Sequence, residues 1–209
     1  MKKILVTYAT FAGSTVEVAQ AIGDEITKSG WQVDVLPIGE VKDVEAYAGV
    51  VLGAPMIVGW HRAALTFLKR HRSVLQHSPL AIFVMAMSLT QTDETCIDGV
   101  PVFVDEKLPK PSEKAGHLSF RERHTSLANY VPPILKATRP GKPVSVGVFG
   151  SRLEYRRLKW WAMLFVMLIV QAPARDRRNW TAIRSWAAGL AAALQLEELE
   201  LQLTTGAQN

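Results

Sequence analysis

Five short apolar runs alternate with helical patterns along this chain, and that alternation constrains its fold more than any other feature. Residues 3–8 (Lys-Ile-Leu-Val-Thr-Tyr) are rich in strand formers and stop at small turn residues. Over residues 14–29, Val16, Val18, Ala19, Ala21, Ile22 and Ile26 recur at helical spacing with acids outward, and Gly30 closes the stretch. Residues 31–36 alternate apolar and polar as a half-covered strand does, whereas 49–54 read as a strand buried on both faces. A second helix is predicted from about 62 to 77, a fourth strand over 79–87, a fifth over 144–150, and a last helix over 180–194 with an Ala/Gly-rich face. Strands alternating with helices imply right-handed crossovers and a parallel sheet covered on both sides. The expected class is therefore α/β: a doubly wound, five-stranded parallel sheet in the order 2-1-3-4-5. Ligand sites in such sheets lie at the carboxyl ends of strands one, three and four. Between strands four and five, residues 88–123 are rich in Thr, Asp, Pro and Lys and read as a long irregular insertion, functional or disordered. No internal repeat is visible, and 1–209 is expected to form a single domain.

The bulk properties narrow the setting. With 48% hydrophobic residues the chain can bury a full core. Its one cysteine, Cys96, cannot close an internal disulfide, so nothing asks for an oxidising compartment. Met1-Lys2-Lys3 leads into an apolar run too short for a signal sequence, and a cytoplasmic setting is expected. Twenty-four Lys and Arg against 19 acids give a net charge of +5. That balance fits either an ordinary basic surface or an anionic partner. Nucleic acid is a poor candidate, because the cations bracket an apolar surface instead of interleaving with polar groove readers. His61, His71, His77, His117 and His124 show no ligand spacing with Cys96 or with acids, so no metal site is assigned.

Strand one runs into helix one through Thr10, Phe11, Ala12, Gly13, Ser14 and Thr15. This loop lacks the G-x-G-x-x-G of dinucleotide folds and the G-K-[ST] of triphosphatases. It offers three hydroxyls, a glycine free to take unusual backbone angles, and the amides and dipole of a helix N-terminus. A phosphate would be met there without lysine or arginine, which suits the monophosphate of flavin mononucleotide (FMN). The alternative is a Ser/Thr capping cluster with no ligand.

As a set, three pieces of the sequence resemble the flavodoxin superfamily, and within it the flavodoxin-like, quinone-dependent protoporphyrinogen oxidases of bacteria. They are Thr10-x-x-Gly13-x-Thr15; Gly53-Ala54-x-x-x-x-Gly59, running into a basic helix with Lys69, Arg70 and His71; and Gly150-Ser151-Arg152 followed by Tyr155, Arg156 and Arg157. The resemblance covers nearly the whole chain outside roughly 90–123. It implies a second flavin loop formed by Pro55, Met56, Ile57, Val58, Gly59 and Trp60, and a third opened by Ser88 and Leu89. Trp60 would stack on the flavin ring or else serve as an ordinary core or surface tryptophan. Ile57 and Val58 depart from the polar or aromatic residues of that branch, which bears on substrate identity more than on FMN.

Residues 160–170 (Trp-Trp-Ala-Met-Leu-Phe-Val-Met-Leu-Ile-Val) are apolar without interruption. At ~1.5 Å per residue such a helix falls far short of the ~30 Å hydrocarbon core. It is apolar all round, so its second face must meet something. Arg152, Arg156, Arg157 and Lys159 precede it, and Arg175, Arg177 and Arg178 follow. Paired tryptophans and flanking cations suit an interfacial element over about 157–171, peripheral on the cytoplasmic face of the inner membrane. Burial under the insertion and a homo-oligomer contact are the alternatives.

The resemblance implies an FMN enzyme that passes electrons from protoporphyrinogen IX, in porphyrin and heme biosynthesis, to a membrane quinone. Arg152, Arg156 and Arg157 would then meet the substrate's propionates, or else lipid headgroups or solvent. No side chain is nominated as a catalytic acid or base. Two other classes compete: a flavodoxin-type shuttle or NAD(P)H-quinone reductase without porphyrin activity, and a flavodoxin-fold binding module without catalysis.

Overall fold

The computed structural model describes residues 3–11, 13–56, 59–87, 89, 95–108, 126–152 and 176–206, with side chains as far as Leu194 in the last helix. Its strands are β1 (Lys3–Tyr8), β2 (Gln32–Pro37), β3 (Tyr47–Pro55), β4 (Leu80–Ala86), β5 (Cys96–Ile97), β6 (Val100–Val104) and β7 (Ser145–Gly150). Its helices are α1 (Ser14–Lys28), α2 (Arg62–Arg70), α3 (Arg72–Leu75), α4 (Leu127–Thr138) and α5 (Trp180–Gly206).

Alternation of side chains along the strands builds two cores, one on each face of the sheet. Ile4, Val6, Val51, Phe83, Met85 and Phe149 face α1 and α5, where Val18, Ile22, Ile26, Trp186 and Leu190 close over them. Leu5, Val50, Leu52, Ile82, Val84, Val146 and Val148 face α2 and α4, against Phe67, Leu68, Tyr130, Val131 and Ile134. β4 lies between the other central strands and is buried at every position. Gly53 is required by packing: a Cβ there would collide with the ring of Phe83, its partner in β4.

The sheet order is β2-β1-β3-β4-β7-β6-β5. Its parallel part β2-β1-β3-β4-β7 is the expected order 2-1-3-4-5. The expected five strands are, however, extended to seven. The stretch read as irregular contributes β6, parallel to β7, and β5, antiparallel to β6. Asp98 and Gly99 turn this hairpin with φ of 51° and 78°. A two-residue Asp-Gly turn with both φ positive matches the right-handed twist of the flanking strands.

Three helical expectations also change. The predicted helix over 62–77 is two helices, broken at His71. α4 was not anticipated at all, because Pro132 and Pro133 sit in its interior. Each such proline removes a helical hydrogen bond at a cost of ~3 kcal/mol. Burial of Leu127, Tyr130, Val131, Ile134 and Leu135 outweighs that, at ~1.5–3 kcal/mol for each fully buried side chain. The last helix, expected over 180–194, runs on to Gly206. The run 160–170 lies outside the described residues. Among the described residues, no helix is long and apolar enough to cross a membrane.

Candidate functional site

The sheet ladder continues a little past the carboxyl ends of the central strands. Ala9 N donates to Gly53 O, Met56 N to Met85 O and Ser151 N to Ala86 O, each at 2.9 Å. The segments after β1, β3, β4 and β7 therefore emerge side by side, as expected at the carboxyl edge of a doubly wound sheet.

The first segment closes on itself. Thr10 Oγ1 accepts the Gly13 amide at 2.8 Å, and Gly13 takes φ 86°, ψ −11°, the left-handed region that favours glycine. Gly13 is the N-cap of α1, and no side chain caps the helix there. Among the described residues the Ser14 and Thr15 amides thus keep the unsatisfied, positively polarised character of a helix N-terminus, while Val16 N turns back to Gly13 O. Ser14 and Thr15 open the helix and are buried; Ser14 Oγ lies 3.3 Å from Ser151 Oγ, at the end of β7.

Thr15 is fully buried, and its Oγ1 has no hydrogen-bond partner among the described residues. A buried hydroxyl without a partner costs ~1–3 kcal/mol, so an acceptor or donor from outside the chain would relieve it. Together with an uncapped helix start and no lysine or arginine between Thr10 and Thr15, this arrangement fits a phosphate monoester. Thr7 Oγ1, on β1, is likewise buried without a partner among the described residues.

The second segment reaches α2 through His61. The backbone bridges from Met56 to Trp60, Gly59 takes φ 89°, and Trp60 is only 6% exposed within the α2 and α4 core. Among the described residues, the exposed ring beside the loops belongs to Phe11, at 52% exposure. Phe11 packs on His61, with centroids 4.3 Å apart and rings tilted by 49°. His61 Nδ1 accepts the Ala63 amide at 3.2 Å and so caps α2. Burial lowers the His61 pKa below its ordinary value, which keeps Nδ1 available as that acceptor. Ala12, Ile57, Val58 and Ser88 lie outside the described residues, whereas Pro55, Met56 and Leu89 are buried at the carboxyl edge.

The basic residues are only partly where the sequence reading put them. Arg152 pairs with Glu17 at 3.3 Å, and its backbone bridges to Asp176. Arg178, expected as one of the cations flanking the apolar run, has a side chain only 3% exposed. It pairs with Glu17 and Asp176 and stacks its guanidinium 4.5 Å from the centre of the Trp180 ring. These carboxylates push the Arg178 pKa up, and Arg178 in turn holds Asp176 below its ordinary value. Arg178 is therefore held inside the protein and is not offered to headgroups. Arg156, Arg157 and Arg175 lie outside the described residues.

Residues 176–179, which the sequence reading did not place at the site, run across this edge. Arg177 N donates to Ser151 O, Arg177 Nη1 to Met87 O at 3.1 Å, and Asn179 Nδ2 to the fully buried Asp105 at 2.9 Å. No local pattern announces a contact between residues 90 positions apart in the chain. A cavity of about 250 Å³ bounded by Val100, Leu135, Thr138 and Pro140 lies at the amino ends of β6 and β7. No residue expected to bind a ligand lines it.

A family model described as a flavodoxin domain matches residues 5–179. Similar solved structures include a short-chain flavodoxin associated with a non-canonical PDU bacterial microcompartment, at 22% identity over 42% of this chain and 62% of that one (TM-score 0.38). A Fusobacterium nucleatum flavodoxin bound to flavin mononucleotide shares 21% identity over 42% of this chain and 53% of that one (TM-score 0.36). The two-electron reduced Megasphaera elsdenii flavodoxin shares 11% identity over 89% of this chain and 98% of that one (TM-score 0.48). The chain thus spans less than two thirds of the length of the first two. A comparison with curated protein sequences finds no match.

Proposed function

Because the chain belongs to the flavodoxin domain family, we propose that it is an FMN-binding redox protein whose cofactor phosphate sits at the N-terminus of α1. The observation that carries this reading is the fully buried Thr15 hydroxyl, without a partner among the described residues, beside a helix start that no described side chain caps. Thr10 shapes the loop by holding the Gly13 amide, and Gly13 supplies the left-handed turn that points the chain into α1. Ser14 and Thr15 would hold phosphate oxygens, with the α1 dipole favouring the negative charge. The segments after β3 and β4, including Pro55, Met56, Gly59 and Leu89, would flank the ring. When bound, the flavin supplies the electron-transfer chemistry, and the protein binds it, orients it and excludes water.

The finer reading follows the resemblance: electrons pass from a porphyrinogen, protoporphyrinogen IX, to a membrane quinone. The basic composition and the apolar run 160–170 support it, since a lipid-soluble acceptor is best met at a membrane surface. Arg152, Arg156 and Arg157 would pair with propionates. Arg152 already holds Glu17, so a propionate there would have to compete with that carboxylate.

Anaerobic incubation of the FMN-loaded protein with protoporphyrinogen IX and a water-soluble quinone analogue tests this. Porphyrin fluorescence that grows only when protein, FMN and quinone are all present is the expected result. No quinone-dependent porphyrin would leave an electron shuttle or quinone reductase. Flotation with anionic liposomes tests the surface: protein that stays at the bottom at every salt concentration contradicts membrane association.

A further inference from the structure

Residues 176–179 form a strap whose two sides are anchored independently. On one side Arg178 is held by Glu17 of α1 and by its neighbour Asp176. On the other, Asn179 donates to Asp105 beyond β6, and the Asn179 carbonyl accepts the Ile183 amide in the first turn of α5. Just before these anchors the backbone of Arg177 lies against β7: its amide donates to Ser151 O, and a Cβ at Gly150 would collide with its carbonyl oxygen. This close approach is a physical reason for glycine at position 150, one of the residues on which the family resemblance rests.

With the backbone held by the Asp176–Arg152 bridge before it and by Arg178 and Asn179 after it, the Arg177 side chain reaches to Met87, the first residue past β4, and donates to its carbonyl. The last register pair between β4 and β7 is Ala86 with Gly150, and Ser151 N takes the Ala86 carbonyl. The ladder therefore stops one residue before Met87. Among the described residues no strand amide reaches the Met87 carbonyl, and Arg177 supplies its donor. We infer that Arg177 is a positioning residue that holds the Met87 carbonyl, at the carboxyl end of β4, in place beside the ring of the bound flavin.

This inference rests on the FMN reading above and deepens it by separating two halves of the site. The phosphate half is built locally from Thr10 to Thr15. The ring half depends on a residue from the far end of the chain. Loss of the Arg177 donor should therefore weaken FMN and riboflavin, which share the ring, by the same factor. Loss of a phosphate contact should weaken FMN alone.

The test titrates full-length apoprotein, as wild type, Arg177→Met and Arg177→Lys, with FMN and with riboflavin, following flavin fluorescence and the visible circular dichroism of the bound ring. Methionine keeps an unbranched stem and removes the donor; lysine restores a donor. The expected result is a rise of roughly tenfold in Kd for both flavins in Arg177→Met, with an altered ring signal, and recovery to within about threefold in Arg177→Lys. Unchanged constants in Arg177→Met, a loss confined to FMN, or no rescue by lysine would each overturn the inference. An Arg177→Met protein that does not fold would do the same, since the contact would then serve stability. Wild-type protein that takes up neither flavin overturns the cofactor reading itself, a result distinct from all of these.

Discussion

The loop at Thr10 to Thr15 and the strap at 176–179 meet at one edge of the same sheet, yet they are built in opposite ways. In the loop, the backbone turn is closed by contacts between residues three apart, Thr10 Oγ1 to Gly13 N and Val16 N to Gly13 O, and only the Phe11 ring and the Ser14 hydroxyl reach distant partners, His61 and Ser151. In the strap, Arg178 bonds a residue 161 positions away, Arg177 one 90 positions away and Asn179 one 74 positions away. The loop also leaves polar groups open, namely an uncapped helix start and a buried hydroxyl. The strap instead gathers its arginines onto acids and carbonyls, and the polar atom left over there, Oδ2 of the buried Asp105, belongs to its anchor and not to the strap itself. A region that leaves buried polarity unsatisfied is arranged for something outside the chain, whereas one that consumes its polarity is arranged to hold other segments still.

Four substitutions or conditions press on that contrast. The largest effect belongs to the strap. Gly150→Ala drives a methyl into the Arg177 carbonyl, and because that neighbour is backbone the strap must move. A stability loss of about 3 kcal/mol in denaturant unfolding, with weakened flavin binding, is expected; an unperturbed variant would mean that the strap is not seated as described. In the loop, Gly13→Ala forces a side chain into φ 86° and should cost ~1–2 kcal/mol by the same measurement.

Thr15→Val separates the two regions most cleanly. It removes the partnerless hydroxyl, so apoprotein stability should hold or rise by up to ~1 kcal/mol while FMN binds roughly tenfold more weakly. If stability falls and binding holds, the hydroxyl serves the fold alone.

The smallest effect is one of pH. Burial lowers the His61 pKa from the ordinary 6.5, so its contribution is fully present above that value and is lost as pH falls toward the folded-state pKa. Protonation also removes Nδ1 as acceptor for the Ala63 amide. Between pH 7 and 5 the wild type should lose up to ~1 kcal/mol more stability than His61→Asn, which caps without titrating. Parallel pH profiles of the two proteins would remove His61 from the account.

Much of the frame is legible in the sequence because it is periodic. The five parallel strands follow from runs such as Gly49-Val50-Val51-Leu52-Gly53-Ala54, and the phosphate loop from neighbouring hydroxyls and a glycine. The hairpin β5–β6 was also written locally, in Ile97-Asp98-Gly99-Val100, though the polar composition around it obscured the signal. α4 was hidden for a different reason: Pro132-Pro133 argues against a helix locally, and tertiary burial decides otherwise. Trp60 could be placed beside a flavin by its neighbours in sequence, but its depth in the core depends on α2 and α4. The strap has no local signature. Arg177 and Arg178 look like flanks of an apolar run until Glu17, Met87 and Ser151 are brought beside them.

The central claim is that the loop before α1 holds the phosphate of a flavin. Its most direct test is the ratio of the dissociation constants of wild-type apoprotein for riboflavin and for FMN, measured under one buffer condition. Two or more charge-assisted hydrogen bonds at ~1.5–3 kcal/mol each predict FMN binding at least about 100-fold tighter than riboflavin. Equal affinities, or no uptake of FMN, would contradict the account.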